Sequence, residues 1–385
     1  MDLGNVMEKR ARGIVSIINR FLPHYRVDFY SELRKRLMEK DVLLRVYYGK
    51  NKNVPKQDEV DIDWGRPMTN WTLRLGKQEL YMHPIPRSIW ESDLIILAQE
   101  NRILPNYILF ARCLMQGRKI AFWDHGLNLQ AASESIGNRF KRLYSAKASW
   151  WFAYTARVAQ IVADMGFPRE RITVVQNAID TRRLILNAEG ITEAQILKKR
   201  KEMGIGNGPI GLYCGGLYKE KRIDFLLESC RCIRREIPSF ELIVIGAGPD
   251  SHLVRSASLH DPWIHYLGPL FGAEKIPYFK MSSVFLIPGL VGLAILDSFA
   301  LEIPLITAQF SFHSPEIEYL IPDVNGIMTH GSLDSFVSGV LRVLFSPDLQ
   351  SRLRQGCREG ARKYTLENMV KNFGEGVEKA LTFAS

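Results

Sequence analysis

The chain alternates short, mostly apolar runs with helical stretches, and does so in both halves. In the first half the runs are GIVSIIN, VLLRVYYG, DLIILAQ, IAFWDHG and RITVVQNAID; in the second they are IGLYCGG, ELIVIGAGP, WIHYLG, VFLIPG and PLITA. Val/Ile/Leu runs of this length, without polar alternation, read as strands covered on both faces. Between them lie stretches such as residues 26–40, with Val27, Tyr30, Leu33 and Leu37 at helical spacing, and IDFLLESCRCIRREI. Strands separated by helices imply parallel pairing, so the expected fold class is α/β, as two doubly wound, Rossmann-like domains. Ligands of such sheets bind beyond the carboxyl ends of the strands, which directs attention to a cleft between the domains.

A length of 385 residues also favours two domains over one. The expected boundaries are 1–185 for the first domain and 186–207 for a linker containing a charged helix and GIGNGP. Residues 208–365 form the second domain, and 366–385 a last helix that packs back towards the first. The polar stretch 50–71 reads as a surface excursion.

Charge divides unevenly. Residues 1–200 hold 33 Lys and Arg against 21 Asp and Glu, whereas 201–385 hold 18 against 20. A basic first half suits an anionic partner such as a membrane surface or a phosphorylated substrate. Residues 138–157, where Arg139, Lys141, Arg142 and Lys147 mix with Phe140, Tyr144, Trp150 and Trp151, suit a membrane interface or, in their later part, a buried strand. No nucleic-acid module is recognisable. The first residues lack a secretory pattern, and no run is long and apolar enough to span a bilayer. Five cysteines without metal-ligand spacing read as reduced thiols, so a cytoplasmic protein is expected, with room for peripheral contact at the membrane's cytosolic face.

The richest loop follows the first strand of the second half: Gly215, Gly216, Leu217, Tyr218, Lys219, Glu220, Lys221 and Arg222, running into a helix. Glycines admit close backbone approach, a helix start presents N–H groups, and three cations lie beside them, a combination suited to pyrophosphate. Gly246 and Gly248 make a G-x-G turn without the third glycine of a dinucleotide fingerprint. Asp297 lies on an apolar helix face after Gly289 and Gly292; it either accepts hydrogen bonds from ligand hydroxyls or caps a neighbouring element. His125 stands at a strand's carboxyl end, and His24, Tyr25 and Arg26 at the first strand–helix junction, on the side where ligands bind. Asp61-Ile62-Asp63 matches a metal-binding D-x-D only in the surface excursion, and no metal site is expected.

Taken in order, GGLYKEKRIDFLLES, ELIVIGAGP, HYLG, VFLIPG with VGLAILDSFALEIPLIT, and HSPEIEYLIPDVNGI resemble the family 4 glycosyltransferases of GT-B fold, over nearly all of residues 209–330. PHYRVDFYSEL, FWDHGLNLQ and RITVVQNAID are similar to the family's less specific first-domain segments. The resemblance implies a retaining, metal-independent transferase with no cofactor beyond its nucleotide-diphosphate sugar. The donor would bind the second domain, and a glycan or lipid-linked acceptor the first. By resemblance Lys221 touches the pyrophosphate, Asp297 the ribose, the backbone near Gly292 and Leu293 a phosphate, Leu267 the base, and His125 the donor sugar. Gly215, Gly216, Lys219, Arg222 and Gly248 complete the donor loop, and His24, Tyr25 and Arg26 are the acceptor-side candidates. Two positions depart from the family pattern. Gly216 stands where an arginine is usual, and Gly289 where the first glutamate of E-x7-E is usual. A nucleotide-binding subunit without turnover, and a GT-B epimerase or phosphorylase, are the competing readings.

Overall fold

The computed structural model describes residues 11–50, 60–75, 78–100, 102–125 and 146–383. They form two compact units, Met1–Ile179 with Leu366–Ser385, and Asp180–Thr365.

The first unit contains β1 (Gly13–Asn19), α1 (Val27–Met38), β2 (Val42–Lys50), β3 (Arg66–Thr69), β4 (Trp71–Leu75), β5 (Gln78–Met82) and β6 (Leu94–Leu97). It continues with α2 (Leu104–Met115), β7 (Lys119–Asp124), β8 (Trp150–Ala153), α3 (Ala156–Asp164) and β9 (Ile172–Val174). Seven of these strands make a wholly parallel sheet in the order β3-β2-β1-β6-β7-β8-β9. All four residues of β6 and of β8 are buried, as strands sandwiched between two layers must be. The excursion expected at 50–71 carries more structure than its polarity suggests. Residues 51–59 lie outside the described residues, but β3 pairs with β2, and β4 and β5 form an antiparallel hairpin. A short edge strand with Arg66 and Pro67, and only Met68 buried, gives no apolar run to read.

The second unit contains α4 (Arg182–Glu189), α5 (Glu193–Glu202), β10 (Ile210–Cys214), α6 (Ile223–Glu236), β11 (Glu241–Ile245), α7 (Ser251–His260), β12 (Ile264–Gly268), α8 (Ile276–Met281) and β13 (Val284–Leu286). After these come α9 (Ala294–Ala300), β14 (Leu305–Ala308), β15 (Gly326–Thr329), α10 (Leu333–Leu344) and α11 (Pro347–Lys363). Its six-stranded parallel sheet runs β12-β11-β10-β13-β14-β15. Residues 186–207, read above as a linker, hold the end of α4 and all of α5 within this unit. Thr192 and Gln195 close a capping box at the start of α5. Arg200 then ties the helix to the sheet by donating to the Gly208 carbonyl at 2.8 Å.

The last helix, α12 (Leu366–Thr382), belongs to the first unit. Its Phe373 stacks on Phe152 of β8 at 4.3 Å and meets Trp123 edge-on at 4.9 Å, so an aromatic cluster seats it.

In each unit the chain builds outward from a central strand in one direction, then returns to build in the other. The reversal falls between β1 and β6 in the first sheet and between β10 and β13 in the second. Loops leaving the two central strands at such a point diverge and leave a crevice at their carboxyl ends.

Candidate functional site

The second unit's reversal point brings together the loop after β10 and the loop after β13. Leu290 N–H donates to the Glu220 carbonyl at 2.8 Å, and Lys221 Nζ donates to the Leu290 carbonyl at 2.6 Å. A third loop, after β11, closes the floor: Gly215 N–H donates to Ile245 O at 3.0 Å and Leu217 N–H to Ala247 O at 2.9 Å. Tyr213, fully buried on β10, donates from its hydroxyl to Gly216 O at 2.6 Å.

This packing explains several of the glycines. A Cβ on Gly246 would stand 1.8 Å from Gly215 O, and its φ of 147° already disfavours any other residue. On Gly248 a Cβ would stand 2.1 Å from Leu217 O. At Gly289 it would lie 2.2 Å from Glu220 O and 2.6 Å from the Lys221 carbonyl carbon. The position of the usual first glutamate is therefore filled by backbone from the Lys221 loop.

Lys221 is 6% exposed, and burial lowers its pKa to about 8. Asp297, on α9, is 8% exposed and pairs through Oδ2 with Lys275 Nζ at 2.6 Å. Its Oδ1 is buried without a hydrogen-bond partner among the described residues. Burial pulls the Lys275 pKa down, but the Asp297 charge, Cys214 and the Asp297 hydrogen bond together raise it. The Cys214 thiol lies within the electrostatic reach of Lys275, Asp297 and Lys221, and burial pushes it up to about 12. Two lysines and a carboxylate thus surround the carboxyl end of β10.

Sequence reasoning missed Lys275. It stands 22 residues before Asp297, just before α8, in a segment that carries no motif. His313 was missed too. Its Nδ1 accepts from Val291 N–H at 3.0 Å while Nε2–H donates to Ala308 O at 2.9 Å. Acceptance at Nδ1 requires neutral imidazole, and burial lowers its pKa accordingly. His313 thereby fixes the loop that leads to Gly292 and Leu293 at the start of α9.

The three cations of the donor loop part company. Lys221 turns inward, while Lys219 and Arg222 line a groove of about 790 Å³ with Phe225, Phe310 and Phe312. Arg222 adopts left-handed backbone (φ 56°, ψ 53°), and its guanidinium lies 4.0 Å from the Phe225 ring centre. Leu267 is half-buried on β12, beside Tyr266, whose hydroxyl donates to Gly246 O at 3.0 Å.

In the first unit, His24 and Tyr25 are exposed after β1, in edge contact at 5.7 Å. Arg26 is 5% exposed, and its guanidinium is held by Asn177 Oδ1 at 2.5 Å and lies 5.1 Å from the Trp123 ring centre. His125 is exposed at the end of β7, its ring 4.4 Å edge-on to Tyr154, and its backbone N–H donates to Asp124 Oδ1 at 2.5 Å. Gly126 and residues 138–145 of the basic–aromatic stretch lie outside the described residues, whereas Trp150 and Trp151 are buried in β8. Asp61 of the D-x-D accepts from Tyr48 at 2.9 Å and Lys50 at 2.6 Å. Among the described residues no helix is long and apolar enough to cross a membrane. All five cysteines are unpaired, and Cys113, Cys230 and Cys357 are buried.

Solved structures match almost end to end. HepE of Anabaena, crystallised with UDP, is 14% identical with a TM-score of 0.70 over 95% of this chain and 100% of its own. Sucrose-phosphate synthase of Thermosynechococcus elongatus is 15% identical, TM-score 0.66, over 96% and 99%. A putative UDP-N-acetylglucosamine 2-epimerase of Listeria monocytogenes is 11% identical, TM-score 0.63, over 97% of both chains. At these identities the likeness is one of fold, and the fold is GT-B. No curated protein matches the sequence significantly. Residues 208–345, which carry Lys221, Lys275, Asp297 and His313, match the family described as glycosyl transferases group 1.

Proposed function

We propose that this protein is a retaining, metal-independent glycosyltransferase. It would move a sugar from a nucleotide-diphosphate sugar to a glycan or lipid-linked acceptor, in cell-surface polysaccharide synthesis at the cytosolic membrane face. The observation that carries this reading is the gathering of Lys221 and the Asp297–Lys275 pair around the carboxyl end of β10, where the sheet reverses. UDP in the HepE crystals, and the family match over this same unit, support it.

In the reaction the bond between the sugar's anomeric carbon and the diphosphate breaks, and a bond to the acceptor oxygen forms on the same face. The acceptor's proton passes to a diphosphate oxygen. Negative charge grows on the leaving diphosphate, and fixed dipoles and a buried ammonium stabilise it without needing to reorganise. Lys221 would serve that task. Its pKa near 8 keeps it mostly protonated at neutral pH, and an arriving diphosphate would raise it further. Gly215, Gly216 and Gly248 keep Cβ atoms out of the donor loop, Leu267 is the candidate for the base, and His125 is the first unit's candidate for the donor sugar. His24, Tyr25 and Arg26 are the acceptor-side candidates, Arg26 held by Asn177 beside Trp123.

The test is turnover with UDP-, GDP-, ADP- and dTDP-sugars, for wild type and Lys221→Ala. A loss of about 10²-fold in the variant is expected, and an unchanged rate would refute the role of Lys221. One observation favours a second reading, a nucleotide-binding subunit without turnover: the backbone contact at Gly289 leaves no room for the usual glutamate. Stabilisation by a nucleotide with no transfer from any donor would establish that alternative.

A further inference from the structure

Asp297 and Lys275 present unspent hydrogen-bonding capacity side by side in a buried place. The carboxylate gives Oδ2 to Lys275 and keeps Oδ1 without a partner, although that atom is buried. Lys275 spends one of its three ammonium hydrogens on Asp297, and among the described residues no other hydrogen-bond acceptor is present for it. An orphaned buried carboxylate oxygen costs about 1–3 kcal/mol, so it marks a place where a ligand group completes the set.

The chemistry of that group follows from the pair. A phosphate oxygen cannot donate to Oδ1 and would be repelled by the carboxylate. A carbonyl can accept from Nζ but gives nothing to Oδ1. An alcohol does both, donating its hydrogen to Oδ1 and accepting from Nζ. We propose that Lys275 is a positioning and specificity residue: it holds Asp297 by Oδ2 so that Oδ1 and the ammonium together grip one sugar-ring hydroxyl of the nucleotide. This rests on the reading of the site as a nucleotide-diphosphate pocket. It also accounts for the shorter acid at 297. A carboxylate on a single methylene has little reach, and a lysine from the neighbouring loop supplies the second half of the contact.

The electrostatics agree with that geometry. Lys275 is kept charged by Asp297 against the pull of burial, so its hydrogens remain available as donors at neutral pH. Lys221, the other charged group within electrostatic reach of Cys214, is committed to the Leu290 carbonyl.

The experiment is calorimetric titration of UDP, GDP and ADP into the nucleotide-free protein. The tightest binder is then compared with its 2′-deoxy and 3′-deoxy forms, in wild type, Lys275→Met, Lys275→Gln and Lys275→Arg. In wild type, loss of the recognised hydroxyl should weaken binding about tenfold or more, the worth of a charge-assisted hydrogen bond. In Lys275→Met the ribo- and deoxy-forms should bind within about twofold of each other. Lys275→Arg, which keeps the ion pair, should recover most of the discrimination. Lys275→Gln, whose shorter, neutral side chain lacks the ammonium donor, carries the test if the methionine variant does not fold. A purely structural lysine would lower melting temperature and weaken all forms alike, leaving the ratio intact. An intact ratio in either neutral variant overturns the inference while leaving the nucleotide site standing. Failure of wild type to bind any of the three diphosphates overturns the nucleotide reading and this inference with it.

Discussion

Replacing Lys221 by methionine should make the nucleotide-free protein more stable at neutral pH while removing its activity. The ammonium is 6% exposed, and its pKa falls from 10.5 to about 8 because burial penalises the charged form. In the unfolded chain the same lysine titrates near 10.5. Between pH 8 and 10.5 the unfolded state therefore binds more protons than the folded one, and folding stability rises with pH across that window. At about 1.4 kcal/mol per pH unit, the charged lysine costs the folded state about 3 kcal/mol below pH 8. Methionine has similar length and no charge, so it removes this cost. It also removes the hydrogen bond to Leu290 O, worth about 1 kcal/mol. The balance is a gain of about 2 kcal/mol at pH 7. Urea unfolding followed by circular dichroism, run on both proteins from pH 7 to 10, measures it. Wild type should regain about 2.5 kcal/mol relative to the variant by pH 10, as its own lysine loses the proton. A variant less stable than wild type at pH 7, or a difference that does not change with pH, would refute the account of Lys221 as a strained, functional cation.

Gly289→Glu, which restores the residue usual in the family, should not restore any function. Its Cβ would stand 2.2 Å from Glu220 O, so a loss of about 2 kcal/mol or more in urea unfolding is expected. Asp297→Asn leaves the largely enclosed Lys275 without its counter-charge and should cost about 3 kcal/mol, with a fall in the Lys275 pKa detectable by NMR of a labelled ammonium. His313 sits below its ordinary pKa of 6.5, so the unfolded chain takes up a proton there first. Stability should then fall as pH drops below about 6.5, and His313→Gln should flatten that part of the profile.

The layered α/β architecture was legible along the chain, because a parallel sheet buried on both faces is written as continuous apolar runs such as LIIL in β6 and LIVI in β11. It also located the loop from Gly215 to Arg222, since glycines and cations before a helix are local features. What it concealed was every relation that depends on which strands become neighbours. Residues 51–59 aside, the excursion after β2 hid an edge strand because edges need no apolar pattern. The ion pair of Lys275 and Asp297 joins the loop after β12 to the helix after β13, and nothing along the chain between them signals the contact. Lys219, Lys221 and Arg222 look equivalent in the sequence, yet one is buried against a carbonyl and two line a groove. Gly289 looks like a lost functional residue until the backbone of Glu220 and Lys221 is seen in the space its side chain would need. Local order is set by short-range sterics and hydrophobic periodicity, which are linear in the chain; charge pairing and close backbone approach arise only when the sheet order brings distant loops to one edge.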